Sequence, residues 1–192
     1  RSPEILVGAQ YRSINGQAGT SQLSDTQTPI EIRAPLGDGK VALQVTPVWL
    51  NAGALANTYN SQMTFGGGPM SALNQYDGLT GVPGTQSANG VGVAVAYRMQ
   101  GLSVDLGTTP IGFQYSNFTG GVKFDGMMDA ANTVYYALNI SSRPVTNSVL
   151  SFAGVKDNAT GLSWGGVMAS GARFQFGSCR VFARQNWYKR IC

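Results

Sequence analysis

Residues 91–106 read VGVAVAYRMQGLSVDL, and this stretch decides the fold class. As far as Tyr97 every second residue is a valine or an aromatic, and after Gly101 every second residue is again leucine or valine. The charged residues Arg98 and Asp105 fall on the opposite parity. Because successive side chains of a strand point to opposite faces, this alternation predicts two antiparallel strands with one apolar and one polar face. Met99-Gln100-Gly101 leaves room only for a tight turn between them.

The same alternation recurs along the chain, and it predicts an all-β, antiparallel fold of about eight strands. The second tight turn is Gly37-Asp38-Gly39. Pro47 cannot donate to a strand ladder, so we expect it near the end of its strand. The predicted strands are Glu4–Ser13, Thr28–Leu36, Val41–Trp49, Val91–Arg98, Leu102–Gly107, Phe118–Asp125, Thr133–Ser141 and Trp164–Phe176.

The predicted connections alternate between long and short. The long ones are Ile14–Gln27, Asn51–Asn89, Thr108–Asn117 and Ser142–Ser163, and the shorter ones are Gly37–Gly39, Met99–Gly101 and Gly126–Asn132. Up-and-down barrels of the outer membrane have this asymmetry, with tight turns at one rim and long loops at the other. Loop length therefore predicts an up-and-down transmembrane β-barrel, and eight strands would be the small end of the known range.

The composition favours a lipid-facing surface over a water-facing one. Only 11% of the residues are charged, whereas soluble domains carry about 25%. No apolar run approaches the roughly 18 residues that a membrane-spanning helix needs. The net charge of +4 is spread thinly, so the sequence predicts no nucleic-acid partner. A glycine-rich secreted β-protein is the alternative that composition leaves open.

The last sixteen residues differ from the rest. Residues 177–192 contain Arg180, Arg184, Lys189 and Arg190 without any acid, together with Cys179 and Cys192. We therefore predict a partial outer-membrane barrel domain over residues 1–176 and an atypical tail over 177–192, either frameshifted or truncated. No signal segment opens the chain, so we expect a mature product or a piece of a longer protein.

Several strings resemble the C-terminal barrel domain of the cellulose synthase operon protein C family. They occur in family order, from residue 2 to about residue 176, and together they are specific. The resembling segments are Ser2-Pro3-Glu4-Ile5, Tyr11-Arg12, residues 16–19 (GQAG), 45–48 (VTPV), 50–53 (LNAG), 107–113 (GTTPIGF), 142–148 (SRPVTNS), 153–154 (AG), 160–161 (TG) and 164–167 (WGGV).

The resemblance implies a channel of roughly sixteen strands that exports cellulose through the bacterial outer membrane, of which this chain is the N-terminal half. It implies outer-membrane lipid and a cellulose chain as partners. It also implies a periplasmic superhelix of tetratricopeptide repeats, absent here, that engages the cellulose synthase complex. A secreted or outer-membrane carbohydrate-binding or adhesin domain, and a non-functional barrel fragment, remain as alternatives.

The sequence predicts no catalytic site, no metal site and no cofactor. It has no histidine, both cysteines lie in the last residues, and the carboxylates show no metal-ligand spacing. Asp105 and Asp125 are conceivable as a glycosidase pair, but nothing in the sequence places them together. We therefore expect a passive pore and not an enzyme.

Parity assigns a set of polar side chains to the predicted lumen. They either contact the glucan or simply balance one another's charge, and the second reading is favoured for most. Tyr135 is the exception, because an aromatic ring can stack on a pyranose. Trp49, Tyr11 and Tyr97 have the apolar parity and are expected in an interfacial girdle. The predicted lumen residues are Gln10, Arg12, Glu31, Arg33, Gln44, Thr46, Arg98, Asp105, Lys123, Tyr135, Asn139 and Ser141.

Arg143, Pro144, Asn147 and Trp164 are predicted in loops, where they either shape a gate or fix the loop conformation, Pro144 by its locked φ and Arg143 by bonds to loop carbonyls. An anionic cargo is a further alternative that a strongly basic lumen would support. The predicted lumen holds four basic and two acidic residues, a bias too mild to decide.

Overall fold

The computed structural model describes residues 2–56, 58, 60, 84–128, 134–156, 163–178, 180–184 and 187–191. No helix in this part of the chain is long and apolar enough to cross a membrane. The described elements are β1 (Glu4–Val7), β2 (Gln10–Ile14), β3 (Leu23–Gln27), β4 (Ile30–Leu36), β5 (Gly39–Ala54), β6 (Thr85–Met99), β7 (Leu102–Thr108), β8 (Phe118–Met127), β9 (Val134–Pro144), α1 (Val149–Phe152), β10 (Val155–Lys156), β11 (Ser163–Trp164), β12 (Met168–Ser178), β13 (Arg180–Arg184) and β14 (Trp187–Ile191).

One antiparallel sheet of ten strands contains most of these elements. Its order β4-β5-β6-β7-β8-β9-β12 follows the chain, with β1 beside β4 and the pair β2-β3 beside β5. Two small hairpins, β10-β11 and β13-β14, stand apart from it. The prediction of an all-β, antiparallel, up-and-down fold is confirmed, and the sheet remains open, with β1 and β12 at the ends of its order.

The ten strands make eight passes, because two of the passes are interrupted. A proline splits β3 from β4, since Pro29 has no N–H to donate to a ladder. Pairing nevertheless continues across the break, where the Gly8 N–H donates to the Pro29 carbonyl at 2.9 Å. Gly8 also marks the break between β1 and β2. The predicted eight strands thus correspond to eight passes.

Both predicted tight turns are present. The turn between β4 and β5 consists of Gly37 and Asp38, and Gly37 has a φ of 58°. Between β6 and β7 lie Gln100 and Gly101, and Gly101 has a φ of 76°. Residues with a side chain adopt such positive φ values at a cost that glycine avoids, so glycine at these two positions permits the hairpins.

Several predicted strand boundaries are wrong, and the last predicted strand, Trp164–Phe176, is observed as β12 over Met168–Ser178. Residues 23–27 were expected in a loop but form β3, and β5 and β6 extend well beyond their predicted ends to cover 39–54 and 85–99. Pro47 therefore lies inside a strand. Its carbonyl accepts a bond from the Thr28 N–H at 3.1 Å, so the missing proline N–H faces the break between β3 and β4, where the ladder is already interrupted.

The predicted loop over residues 142–163 is wrong in part as well. Its first residues complete β9, so Arg143 and Pro144 are strand residues paired with Ala169 and Met168. Residues 157–162 of that predicted loop lie outside the described residues. The described remainder holds α1, whose N-cap Ser148 and Ser151 form a reciprocal capping box, and β10, which pairs with β11 at Trp164. No periodic signal marks these elements in the sequence, because a four-residue helix and a two-residue strand are too short to show a repeat.

All charged residues within the strands of the ten-stranded sheet lie on one face. The register places them together, and we call this face the inner face. The opposite, outer face is apolar and exposed. The inner charged residues are Glu4, Arg12, Asp25, Glu31, Arg33, Lys40, Arg98, Asp105, Lys123, Asp125, Arg143 and Arg173. The large exposed outer residues include Ile5, Val7, Tyr11, Ile32, Leu43, Trp49, Val95, Leu106, Phe118, Val122, Ile140, Phe174 and Phe176.

The hydrophobic core lies on the inner face near the long-loop ends of the strands. There the inner side of β5 changes from polar to apolar, at Val48 and Leu50, and packs with α1. Phe113 and Phe152 meet edge to face, with ring centroids 5.1 Å apart. Residues 145–156 and 163–167, which we call the inner segment, are therefore folded against the sheet instead of projecting from it.

The sheet curls so that its first and seventh passes approach each other. Six strand spacings separate β2 from β9, about 29 Å in a flat sheet at about 4.8 Å each. Arg12 of β2 nevertheless donates hydrogen bonds to Thr146, two residues past the end of β9, at 2.6 and 3.1 Å. Such a contact requires strong curvature toward the inner face.

Candidate functional site

Parallel rows of polar and small side chains run across the inner face. Cross-strand register aligns Lys40, Arg98, Ser103, Lys123, Asn139 and Arg173 in one row, which we call the basic row. The next row toward the long loops contains Arg33, Ala42, Ala96, Asp105, Gly121, Ser141 and Gly171. The one after it contains Glu31, Gln44, Ala94, Gly107 and Thr119. Small residues in these rows leave space beside the charged ones.

The most buried ion pair of the inner face joins Arg12 and Asp25. The Asp25 side chain is 2% exposed and accepts a hydrogen bond from the Arg12 guanidinium at 2.9 Å. Gln27 donates to both oxygens of the same carboxylate at 3.0 Å. Arg12 also bonds Thr146, so this pair fastens the inner segment to β2 and β3.

A second ion pair crosses a strand. Arg143 of β9 reaches over β8 to Asp105 of β7, with its two terminal nitrogens 2.7 and 2.6 Å from the two carboxylate oxygens. Gly121 of β8 lies beneath them, and a Cβ there would stand 2.9 Å from the Arg143 nitrogen. A bidentate pair of this kind fixes both distance and orientation. We call it the Arg143–Asp105 bridge.

Three further ion pairs join inner-face neighbours. Arg33 pairs with Glu31 two residues away on β4. Lys123 and Asp125 of β8 are 3.3 Å apart, and Lys40 lies 3.6 Å from Glu4. The last two pairs are half exposed, and exposed pairs contribute little to stability. Their effect is to neutralise most of the charge of the inner face locally.

The Arg143–Asp105 bridge separates two cavities of about 190 Å³ each. Arg143 lines both. The cavity on the long-loop side also contacts the inner segment at Phe152, and Gln27, Gln44 and Thr46 contribute amide and hydroxyl groups. The cavity on the other side is bounded by Glu31, Arg98 and Asp105. At about 30 Å³ per liquid water, each is large enough for several water molecules.

Every predicted lumen residue lies on the inner face. The structure brings Glu31, Gln44, Arg98 and Asp105 together around the cavity on the short-turn side of the Arg143–Asp105 bridge. Arg12 is drawn instead into the Asp25 pair, and Asn139 belongs to the basic row. Whether any of them contacts a glucan stays a prediction.

Tyr135 lies farther toward the short turns and crosses Gly177 of β12, where a Cβ would stand 2.5 Å from its ring. Of the residues predicted in gate loops, Asn147 is exposed in the inner segment. Trp164 is half-buried in β11 and packs against the core. Arg143 donates to the Asp105 carboxylate, and the choice between a gate and a loop-fixing role for these four residues stays a prediction.

Sequence reasoning missed several inner-face residues. Asp25 and Thr146 lay in predicted loops, and Arg173 lay in the stretch with the weakest alternation. Lys40 falls between the predicted turn at 37–39 and the predicted strand that begins at Val41, although it has the parity of Ala42 and Gln44. Extending each strand by parity to its flanking glycine would have found Lys40. Asp25 offered no such signal, because β3 lacks an apolar alternation.

The fold and this site define a class of protein: a curled antiparallel meander with an exposed apolar face and an ion-paired polar face partly covered by an inner segment. The sequence model of the cellulose synthase operon protein C C-terminus matches residues 21–187. The match runs past the predicted boundary at 177, where β13 and β14 form a hairpin. The chain belongs to this family.

Proteins named cellulose synthase operon protein C are similar to most of the chain. That of Pseudomonas fluorescens is 43% identical over 175 residues, which cover 90% of this chain and 13% of the relative. That of Xanthomonas axonopodis pv. citri is 39% identical over 86% of this chain and 10% of the relative. That of Escherichia coli is 32% identical over 87% of this chain and 14% of the relative. The chain thus spans 10–14% of the length of these relatives.

Proposed function

We propose that this chain takes part in cellulose biosynthesis as a section of an outer-membrane channel that exports the glucan. The outer face contacts lipid, the inner face lines the passage, and no covalent step occurs. The relatives carry the name cellulose synthase operon protein C, and the sheet has the two kinds of face that such a channel needs.

One observation carries the proposal: the strict separation of charge between the two faces. Each charged side chain of the ten-stranded sheet is on the inner face, while the outer face exposes aliphatic and aromatic residues. A water-soluble protein rarely exposes an apolar surface of this extent. In lipid the same surface is favourable, and each charge placed there would cost about 2–4 kcal/mol at the midplane.

Aromatic residues support a membrane orientation of the outer face. Register places Tyr11 and Trp49 in one row near the long loops. Tyr97 lies near the short turns, where its hydroxyl reaches the Leu36 carbonyl at 3.4 Å. Val41, opposite Tyr97, and Trp49 are eight residues apart on β5, about 27 Å along the strand. Aromatic girdles flank an apolar band of about 25 Å in outer-membrane barrels.

The inner face has the chemistry that a moving neutral glucan requires. Amide, hydroxyl and paired charged groups exchange hydrogen bonds with sugar hydroxyls and with water, each with a small net free energy. The alanines and glycines of the inner rows leave space for a chain and for water. Such a path binds a glucan weakly at many points, which permits passage.

The open edges of the sheet require partners in this setting. Within the described sheet β1 and β12 each pair with one neighbour, and lipid cannot satisfy the backbone groups of a free edge. We place further strands of a complete channel at both edges. The repeat region that the resemblance implies would connect the channel to the cellulose synthase complex.

A segment exchange tests the proposal. The 175 residues of the Pseudomonas fluorescens protein that match this chain are replaced by the chain itself, in a cellulose-producing host that lacks its own copy. Cell-surface cellulose is then measured by cellulase-releasable glucose. We expect secretion to recover to at least about half of the unexchanged level.

Two controls make that result decisive. A version with the segment deleted should give no surface cellulose, and outer-membrane fractionation should show the exchanged protein at a normal level. An exchanged protein that reaches the outer membrane in normal amount and yet secretes no glucan would contradict the proposed function.

A further inference from the structure

The basic row collects cations from four strands. Lys40, Arg98, Lys123 and Arg173 lie in one cross-strand register on β5, β6, β8 and β12, with Ser103 and Asn139 between them on β7 and β9. Strands are about 4.8 Å apart. Arg98, Lys123 and Arg173 therefore follow one another at about 10 Å.

The acids of the inner face do not balance this row. All five acidic side chains of the described sheet are already in ion pairs, with Arg12, Arg33, Lys40, Lys123 and Arg143 as their partners. Among the described residues Arg98 and Arg173 have neither an ion pair nor a hydrogen-bonded acceptor. Both are exposed to solvent on the inner face.

Two unpaired guanidinium groups beside neutral donors have a specific chemistry. Arginine presents its N–H groups as a planar fork that matches the oxygens of a carboxylate or a phosphate. Ser103 and Asn139, which flank Lys123 in the row, add neutral hydrogen-bond donors. A neutral glucan gains little from a cationic side chain, because its hydroxyls form hydrogen bonds with water equally well.

We infer that the basic row is a binding site for anionic oxygen groups, phosphate or carboxylate, on the inner face. The inference rests on the proposed function, because it takes the inner face to line the hydrated path of the glucan. It adds to that function an electrostatic preference: an anion on a passing chain, or a free anion, is attracted at this level of the path.

Nuclear magnetic resonance of arginine side chains tests the site directly. The full chain, refolded in detergent micelles, is titrated with inorganic phosphate, with neutral cellotetraose and with cellotetraose carboxylated at C6. The Nε–Hε signals of Arg98 and Arg173 are assigned from Arg98→Gln and Arg173→Gln. We expect both signals to move with the two anionic probes and to remain in place with the neutral one.

The variants give the expected magnitudes. Replacing both arginines by glutamine should lower the association constant for either anion about tenfold, and Arg98→Lys should retain most of it because the charge remains. Lys156→Gln removes one positive charge from β10, outside the row, and should change the constant less than twofold. Circular dichroism of each variant establishes that the sheet is intact.

The outcomes distinguish an anionic substituent on the glucan from a free anion. They also distinguish a failure of this inference from a failure of the proposed function. Tighter binding of carboxylated cellotetraose than of phosphate identifies a substituent on the glucan, and equal or weaker binding identifies a free anion. Unmoved arginine signals, or equal movement with neutral cellotetraose, overturn the inference. If the arginines bind no anion while the exchanged protein still secretes cellulose, this inference alone is overturned. If the arginines bind anions while the exchanged protein secretes no cellulose, the proposed function alone is overturned.

Discussion

Single residues of the inner face carry charge that the surrounding structure must compensate. Asp25 is the clearest case, because its carboxylate is almost fully buried and Arg12 is its cationic partner. Breaking a buried pair by removing one member costs about 3–5 kcal/mol, since the other charge stays buried and unpaired. The Arg12–Asp25 pair is therefore more important for stability than the half-exposed pairs of the same face.

The first prediction concerns this pair. Arg12→Gln should lower the free energy of unfolding by about 3–5 kcal/mol, and the double variant Arg12→Gln, Asp25→Asn should recover a substantial part of the loss because no charge is left buried. Urea unfolding in lipid vesicles, followed by tryptophan fluorescence, measures both. Equal losses in the single and the double variant would show that the buried carboxylate is not the cause.

The second prediction concerns the glycine beneath the Arg143–Asp105 bridge. Gly121→Ala puts a Cβ 2.9 Å from an Arg143 nitrogen and 3.1 Å from an Asp105 oxygen, so the bridge must shift, at a cost of about 1 kcal/mol. Gly171 lies in the same row with nothing within 4 Å. Gly171→Ala should leave the free energy of unfolding unchanged within about 0.5 kcal/mol, and a similar loss in both variants would contradict this explanation.

At the residue scale the sequence predicted the face of the sheet on which a side chain lies. It predicted less well which other side chain that residue contacts. Parity alone placed Asp105 and Arg98 on the polar face. Nothing in the sequence indicated that Asp105 pairs with Arg143, thirty-eight positions away, because that contact depends on the register of three strands and on a glycine between them.

At the element scale β5 offers the sharpest test of what surrounds the outer face. Adjacent residues on this strand point to opposite sides, so Leu43 faces outward and Gln44 faces the inner cavities. Leu43→Lys should destabilise the chain in lipid vesicles by about 2–4 kcal/mol, and Gln44→Lys by less than about 1 kcal/mol. Urea unfolding in vesicles measures the difference, and equal effects would argue against lipid contact.

The inner segment is the element that patterns predicted least well. Its core contact is Phe152, which is 5% exposed and packs on Phe113. Phe152→Ala should cost about 3–5 kcal/mol of local packing and should make the inner segment sensitive to protease in the folded chain. Leu150→Ala, at a half-buried neighbour, serves as the control and should increase cleavage much less. Unchanged cleavage in Phe152→Ala would show that the segment is not held by this core.

Strand boundaries failed in the sequence for identifiable reasons. Residues 23–27 have the sequence LSDTQ. After Leu23 the residues on both faces are polar, so no apolar–polar alternation marks a strand. β5 and β6 were predicted too short because asparagine, glycine and serine, which resemble loop residues, continue the strands beyond Trp49 and before Val91. These ends are fixed by pairing over a long ladder, which overrides local propensity.

At the scale of the whole molecule, the sheet is curled and yet open. The Arg12–Thr146 contact shows that the sheet is strongly curved, while β1 and β12 stay at opposite ends of the strand order. Meander order and the two faces followed from the sequence. The curvature did not, because it depends on a contact between residues 134 positions apart.

Hydrogen exchange tests whether additional strands close the sheet. Among the described strands of this chain, β6 has a neighbour on both sides and β12 pairs with β9 alone, so every second amide of β12 has no strand partner there. We expect those amides to exchange at least about a hundredfold faster than the amides of β6. In the exchanged Pseudomonas fluorescens protein the same β12 amides should become as protected as β6, because further strands satisfy them. Fast exchange in both settings would mean that β12 remains an edge, and a channel closed by pairing at β12 would then be wrong.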